Sequence, residues 1–413
     1  MNAATEASPL STAPIATAPP TRLASIDIMR GLTMAVMIFV NELDGVKGLP
    51  WWTHHAKGNW NVMTYVDMVY PFFLFIVGLS FPIAIRQRLK KNNSIPALWS
   101  HVLLRSISLV VLGLTLANAD RVNPALTHLS PAVWALTTLI GAALVLRVDS
   151  NAKDHPALSR NLRIAGLIIV AVMFAIFRGT NRNGGVTWID ISYPEILGLI
   201  GCTYLAVAIL YIPTRRWLLA PFAWLIALIT FNCLCTAQII TAFRHVPILI
   251  WPFDNGAMAA IMMGGIATSA IFLGDHRWQT VGKKMSLGAS FGVISLAAGF
   301  LLSPLGISKI RATPTWALYD IGAAALAFTL LYWLCDIKKQ TGWAFFVRPA
   351  GANTLTTYLL PDFWYFLTML FGFTWLDTHL NHGLSGVMRT VAFTAIILAI
   401  SGLLTRMKFR LQL

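Results

Sequence analysis

Charge is the scarcest commodity in this chain. Of 413 residues, 11% are Asp, Glu, Lys or Arg and 57% are hydrophobic, with a mean hydropathy of +0.68. A soluble globular domain carries about a quarter of its residues charged, so that class is excluded. Cysteine is scarce too: Cys202, Cys233, Cys235 and Cys335 all fall in or at the ends of apolar runs. That placement argues against a disulfide framework or a zinc site, and they read as small buried residues. The first 21 residues contain neither Lys nor Arg and no apolar core, so a signal peptide is not expected there and a disordered cytoplasmic tail is. No basic stripe interleaved with aromatics lies in a soluble stretch, so the net charge of +15 is not a nucleic-acid footprint. A convincing internal repeat is also missing. The Pro71, Gly78, Pro82 pattern has no obvious counterpart in the second half.

What the chain does have is apolar runs near 20 residues, each about long enough to cross a ~30 Å hydrocarbon core. Twelve windows emerge: 26–44, 64–85, 102–118, 130–148, 163–178, 193–212, 217–240, 256–273, 285–303, 315–334, 350–372 and 385–405. The expected fold is an all-α, polytopic helical membrane bundle of ten to twelve spans, with residues 22–413 forming a single domain. Basic residues orient it. Placing the N-terminus inside puts 22 Lys and Arg on that side and nine on the other, of 31 in all. Both termini are therefore expected in the cytoplasm. The charge excess is then mostly a topology signal, reinforced by anionic inner-leaflet lipid.

In that orientation the segment WWTHHAKGNWNVMTYVDMVYPFFLFIVG (51–78) lies between the first two spans, on the outer side. Titratable and amide groups at a membrane entry point need a reason. Histidine at 54 or 55 suits a general base toward an amine or hydroxyl, or a nucleophile that carries an acyl group briefly. The amide of Asn41, closing the run MAVMIFVN, could steady an oxyanion. Asp67 could fix an imidazole tautomer or cap a helix. The same residues admit plainer roles: interfacial loop histidines, Asn41 as a cap, and Asp67 with Thr64 as decoration of a helix N-terminus.

RLASIDIMRGLTMAVMIFVN (22–41) followed by HHAKGNWNVMTYVDMVYPFFLFIVGLSFPIA (54–84) resembles the start of the heparan-α-glucosaminide N-acetyltransferase family. There, an RxxSxDxxRG…MxxVN helix precedes a catalytic His-Ala and a T-x-x-D-x-x-x-P-x-F-x-F-x-x-G helix. YPEILGLIG (193–201) is closer to a bacterial, NagX-like branch of inner-membrane proteins associated with N-acetylglucosamine use. SKIRATPTW (308–316) and GANTLTTYLL (351–360) are weaker echoes. The specific signature is confined to the first 85 residues.

The resemblance implies a catalytic set of His55, Asn41 and Asp67, with His55 preferred over His54 because Ala follows it. It implies acetyl-CoA as co-substrate, entering from the cytoplasm, and a glucosamine-type acceptor outside, with no metal. Arg22, Arg30 and Arg105, with Arg86 and Arg88 nearby, are the candidates to hold coenzyme A phosphates. Trp60, Asn61, Lys309 and Glu195 are the candidates for the acceptor. Two departures stand out. The His-Ala-x-Trp-Asn stretch is two residues longer here, and the family's Gly-Val-Leu-Gln-Arg is Glu195-Ile-Leu-Gly-Leu. Residues 130–178 also look like an added helical pair. The competing expectation is an inner-membrane transporter for N-acetylglucosamine or related sugars, with Trp51, Trp52, Trp60, Trp188 and Trp251 stacking on sugar faces. Partners expected on either reading are membrane lipid and a homodimer mate, and no nucleic acid.

Overall fold

Residues 23–148, 155–180, 184–241, 255–274 and 280–412 are described by a computed structural model. The tail 1–21, Arg22 and Trp251 lie outside them. The protein is all-α and polytopic. Twelve helices of at least 16 residues occur among the described residues. They are α1 (Ala24–Asp44), α2 (Val66–Lys91), α3 (Ile95–Asn118), α4 (Pro131–Leu146), α5 (Pro156–Ile176) and α6 (Glu195–Thr214). The second half holds α7 (Ala220–Thr236), α8 (Ala257–Leu273), α9 (Val281–Leu301), α10 (Pro314–Leu331), α11 (Thr354–Phe371) and α12 (Gly383–Arg406). Each overlaps one window read from hydropathy. Eight are long and apolar enough to cross a membrane, α10 counted with its π-helical continuation Tyr332–Ile337, and α4, α7 and α8 are shorter apolar helices. A two-residue ladder pairs Gly179–Thr180 with Val186–Thr187.

Helices α3 and α5 begin well before their apolar windows because Ser100 and His101 in α3, and Ser159, Arg160, Asn161 and Arg163 in α5, interrupt the apolar run while the helix continues. Ser94 Oγ caps α3 by accepting from Ala97 N at 3.3 Å, and Pro156 opens α5. Helix α1 has no cap of its own. Asp336, at the end of the π-helical turn after α10, supplies one: the N–H groups of Ala24 and Ser25 donate to its two oxygens at 2.8 and 3.1 Å.

Packing centres on α2, which runs against α8. A Cβ on Gly78 would lie 1.9 Å from the Met262 carbonyl oxygen, and one on Gly265 would lie 2.0 Å from that of Phe75. The two glycines let the backbones touch, as small residues do between membrane helices. Successive helices alternate in direction. Val148 N donates to Arg410 O at one end of the bundle, and Gly383 N donates to Lys47 O at the other. Residue 23 and residue 412 therefore lie on the same side, where Arg86, Arg88, Arg215 and Arg216 also gather. At the opposite end, Glu42 of α1 pairs with Arg389 of α12 at 2.9 Å, both nearly buried, and accepts from Tyr365 of α11. Loops at that end are pinned as well: Arg121 pairs with Asp190, whose backbone exchanges hydrogen bonds with Asn118.

Gly78→Ala should force α2 and α8 apart and lower stability by about 1–3 kcal/mol or more in detergent thermal unfolding. Gly282→Ala, where a Cβ meets nothing within 4 Å, should be neutral. The Ser192 hydrogen bonds and the neighbouring Arg121 hold Asp190 down at about 2. Its folded value lies below the unfolded one, so its contribution is present above about pH 4 and lost as pH falls toward 2. Hydrogen exchange in residues 188–192 should rise across that window and stay flat above it.

Candidate active site

The loop from Gly45 to Tyr65 is folded back by a 3₁₀ turn, Trp51–Thr53, so that His55 meets the head of α2. His55 Nδ1 lies 2.8 Å from Asp67 Oδ1, with the carboxylate fully buried and the imidazole about 38% exposed. The other oxygen of Asp67 accepts from Thr64 N at 3.0 Å, Ala56 N at 3.2 Å and Thr64 Oγ1 at 3.3 Å. This is the acid's half of a capping box, in which the carboxylate reaches back to the N–H of Thr64 just before the helix. One oxygen of Asp67 thus ties down the loop before α2 and the other meets the imidazole of His55. The two-residue insertion does not prevent the contact. His54 turns elsewhere, its Nδ1 3.5 Å from Asp44, and donates nothing to Asp67.

Pro71 contributes indirectly. Having no N–H, it leaves the carbonyl four residues earlier without its helical partner. That carbonyl belongs to Asp67, and the buried Trp316 of α10 donates to it through Nε1 at 3.3 Å. The segment before α10 then covers the loop. Ile307 N donates to Asn61 Oδ1 at 2.5 Å, Arg311 Nη2 to Trp60 O at 3.3 Å, and Lys309 Nζ lies 3.3 Å from His55 Nδ1. Burial lowers the Lys309 pKa, while Asp67, Asp320 and Asp44 pull it back up. Asp320, one turn past Trp316, is fully buried and neither of its oxygens has a partner among the described residues. Trp60 packs edge-on against Trp51 at 5.8 Å.

His55, Asp67, Trp60, Asn61 and Lys309 thus share one cluster. Asn41 is exposed in the last turns of α1 and makes no side-chain hydrogen bond to a described residue; it lies one turn before Asp44, the partner of His54. Glu195 is not in the cluster. It opens α6 with a positive φ of 55° and accepts from Tyr358 of α11 at 3.2 Å.

Tyr358 lines a cavity of about 380 Å³ between α1, α2, α3, α6 and α11. Its basic end carries Arg30, which pairs with Asp27 at 3.1 Å, together with Arg88 and Arg105, and among the described residues no carboxylate lines it. Arg30 donates to Ser80 Oγ at 2.8 Å and to Gly351 O at 3.1 Å. Arg105 stacks on Tyr204 at 4.8 Å, with a buried Nε that has no partner among the described residues. Arg86, which the sequence grouped with these, faces away from this cavity. Along α2 the lining runs from Arg88 up to Phe73, about 22 Å at 1.5 Å per residue, and six residues, about 9 Å, remain to Asp67. Neither His55 nor Asn41 lines it. Among the described residues, no three His, Cys, Asp or Glu gather as a metal site. Sequence reasoning missed Trp316, Arg311 and Tyr358. Only the Asp67–Pro71 spacing, which orphans a carbonyl, pointed to the first.

Residues 22–125 match the family model described as heparan-alpha-glucosaminide N-acetyltransferase, catalytic. Over 101 residues the chain is 34% identical to heparan-alpha-glucosaminide N-acetyltransferase of Homo sapiens, and over 99 residues 32% identical to that of Mus musculus. Each alignment covers 24% of this chain and 14% of the relative. That stretch is heparan-α-glucosaminide N-acetyltransferase-like. It contains Asn41, His55, Asp67, Arg30, Arg88 and Arg105, and leaves Glu195 and Lys309 outside.

Removing Asp67 leaves three donors and an imidazole without an acceptor. Asp67→Ala should cost about 3 kcal/mol or more, since the groups left behind are buried. Asp44→Ala, whose side chain is half exposed against His54, should change stability by less than about 1 kcal/mol. Thermal unfolding of the two variants side by side in detergent measures the difference.

Proposed function

We propose that this protein is a transmembrane acetyltransferase that moves an acetyl group from cytoplasmic acetyl-CoA to the amine of a glucosamine-type sugar on the far side of a bacterial inner membrane. The observation that carries the reading is that α2 has a basic cavity at one end and an Asp–His pair at the other, about 30 Å apart from Arg88 to Asp67. The basic excess at the end shared by residues 23 and 412 supports placing that end in the cytoplasm.

Arg30, Arg88 and Arg105, with Arg22 beyond the described residues, bind the phosphates of the donor. Guanidinium groups suit them because they offer paired, charge-assisted hydrogen bonds. The cavity leads its thioester arm along α2 toward Asp67. At the outer end, Trp60, Asn61 and Lys309 shape the acceptor site, and Glu195 supports the upper cavity through Tyr358. With Nδ1–H held by Asp67, the Nε2 lone pair of His55 takes the proton of the attacking amine. The C–N bond forms, the C–S bond breaks, and that proton passes to the departing thiolate. The products are an N-acetyl sugar and coenzyme A. Asn41, on the same outer turns of α1, steadies the developing oxyanion.

Purified protein supplied with labelled acetyl-CoA and glucosamine should yield labelled product. His55→Ala should lower kcat by about 10²–10⁴-fold while coenzyme A binding stays intact. Arg105→Gln should raise KM for acetyl-CoA about tenfold, with a smaller effect on kcat. Sugar uptake by proteoliposomes without acetyl-CoA, unchanged by His55→Ala, would replace this reading with a transporter.

A further inference from the structure

A second cavity at the basic end, about 330 Å³, lies between α2, α6, α7 and α8. Arg86, Arg215 and Arg216 line it with Tyr211, Trp217 and Leu218, and among the described residues no carboxylate does. We infer that it is a site for the phosphate of an anionic phospholipid.

Arg86 and Arg88 are two residues apart on α2 and so face different sides of the helix, Arg88 toward the first cavity and Arg86 toward this one. The three guanidinium groups are only partly used. Arg86 reaches Leu273 O at 3.3 Å, and Arg215 Nη1 donates to Ile212 O at 2.6 Å. These carbonyls close α8 and the last turn of α6, where a cation is favoured by the helix dipole. The contacts fix both side chains while leaving most of their five N–H donors free. Arg216 has no side-chain partner among the described residues. Orienting a chain by basic residues needs charge near a membrane surface, not three arginines gathered around one concave pocket. Arginine is the side chain that best grips a phosphate.

The rim says which phosphate. Trp217 is 70% exposed and Leu219 72%, and one to two turns further along α7 Ile226 is 67% exposed. An interfacial tryptophan above an apolar helix face is what bilayer-facing surface looks like. A lipid can seat its headgroup in the cavity and lay its acyl chains down α7. A soluble anion can use only the first half of that surface.

The test is native mass spectrometry of the full chain, delipidated in detergent and titrated with phosphatidylglycerol or phosphatidylcholine of matched acyl chains. One phosphatidylglycerol should be retained at least about tenfold more tightly than phosphatidylcholine. Arg215→Gln with Arg216→Gln should remove that preference, while Arg215→Lys with Arg216→Lys keeps part of it. Coenzyme A and inorganic phosphate should fail to displace the lipid, and coenzyme A affinity should be the same in the Gln variant. Should the double variant not fold, Arg216→Gln alone, at a side chain with no described partner, carries the comparison. Equal retention of the two lipids overturns the inference. So does displacement by coenzyme A, which makes the cavity part of a donor site, or by inorganic phosphate, which makes it a soluble-anion site.

Discussion

A carboxylate taken out of water at the head of an apolar helix has to be surrounded by donors, because its desolvation costs several kcal/mol. Asp67 satisfies this with two backbone N–H groups, a hydroxyl and an imidazole. The donors come from two points on the α1–α2 loop, His55 with Ala56 and Thr64 just before the helix. The requirement to solvate one charge therefore folds about a dozen residues of irregular chain onto a helix end, and His55 is held as part of that shell. The same rule recurs where Glu42 draws α12 and α11 to α1, and where Asp336 caps α1 from across the bundle. In a chain this poor in charge, Glu42 and Asp336 act as ties between helices, whereas the buried Asp320 has no such partner among the described residues.

The contacts of His55 Nδ1 compete. Asp67 Oδ1 at 2.8 Å needs a proton on that nitrogen, and an ammonium at 3.3 Å on Lys309 needs a lone pair there. One atom cannot serve both. The shorter, charge-assisted contact to a fully buried carboxylate decides it, so Nδ1 carries the proton and Nε2 the lone pair. Lys309 is then held by the field of Asp67, Asp44 and Asp320 rather than by a hydrogen bond to the ring. Its ammonium offsets the negative charge gathered there, while burial works to make it neutral.

Apolar run length and polar punctuation were enough to locate each long helix among the described residues, because hydrophobic length is the strongest signal a membrane helix leaves. Starts were less legible. The opening turns of α3 and α5 include Ser100, His101, Ser159 and Arg160, which hydropathy reads as loop although helix geometry continues through them. The pairing of His55 with Asp67 and the gathering of Arg30, Arg88 and Arg105 were both within reach of motif and charge. Partners brought by tertiary packing were not. Nothing local to Glu195 announces Tyr358, and nothing near Gly78 announces Met262, since a close backbone approach leaves only a small residue on each side. Arg86 was grouped with Arg88 by sequence proximity, and helix periodicity sends the two to different cavities.

Proline supplies the link between the loop before α10 and the α1–α2 site. In a membrane helix an unpaired carbonyl cannot be left to water, so the group freed by Pro71 must find a donor from a neighbouring helix. Trp316 is that donor, and the carbonyl it meets is that of Asp67 itself. Fixing Trp316 fixes the start of α10, and with it the preceding turn that carries Lys309 and Arg311 onto His55 and Trp60. A helix-breaking residue four positions past the acid thus recruits a segment some 250 residues away to the same few ångströms. On this argument the Asp67–Pro71 spacing is a structural device in its own right: the side chain organises the loop before α2 while the carbonyl organises the loop before α10.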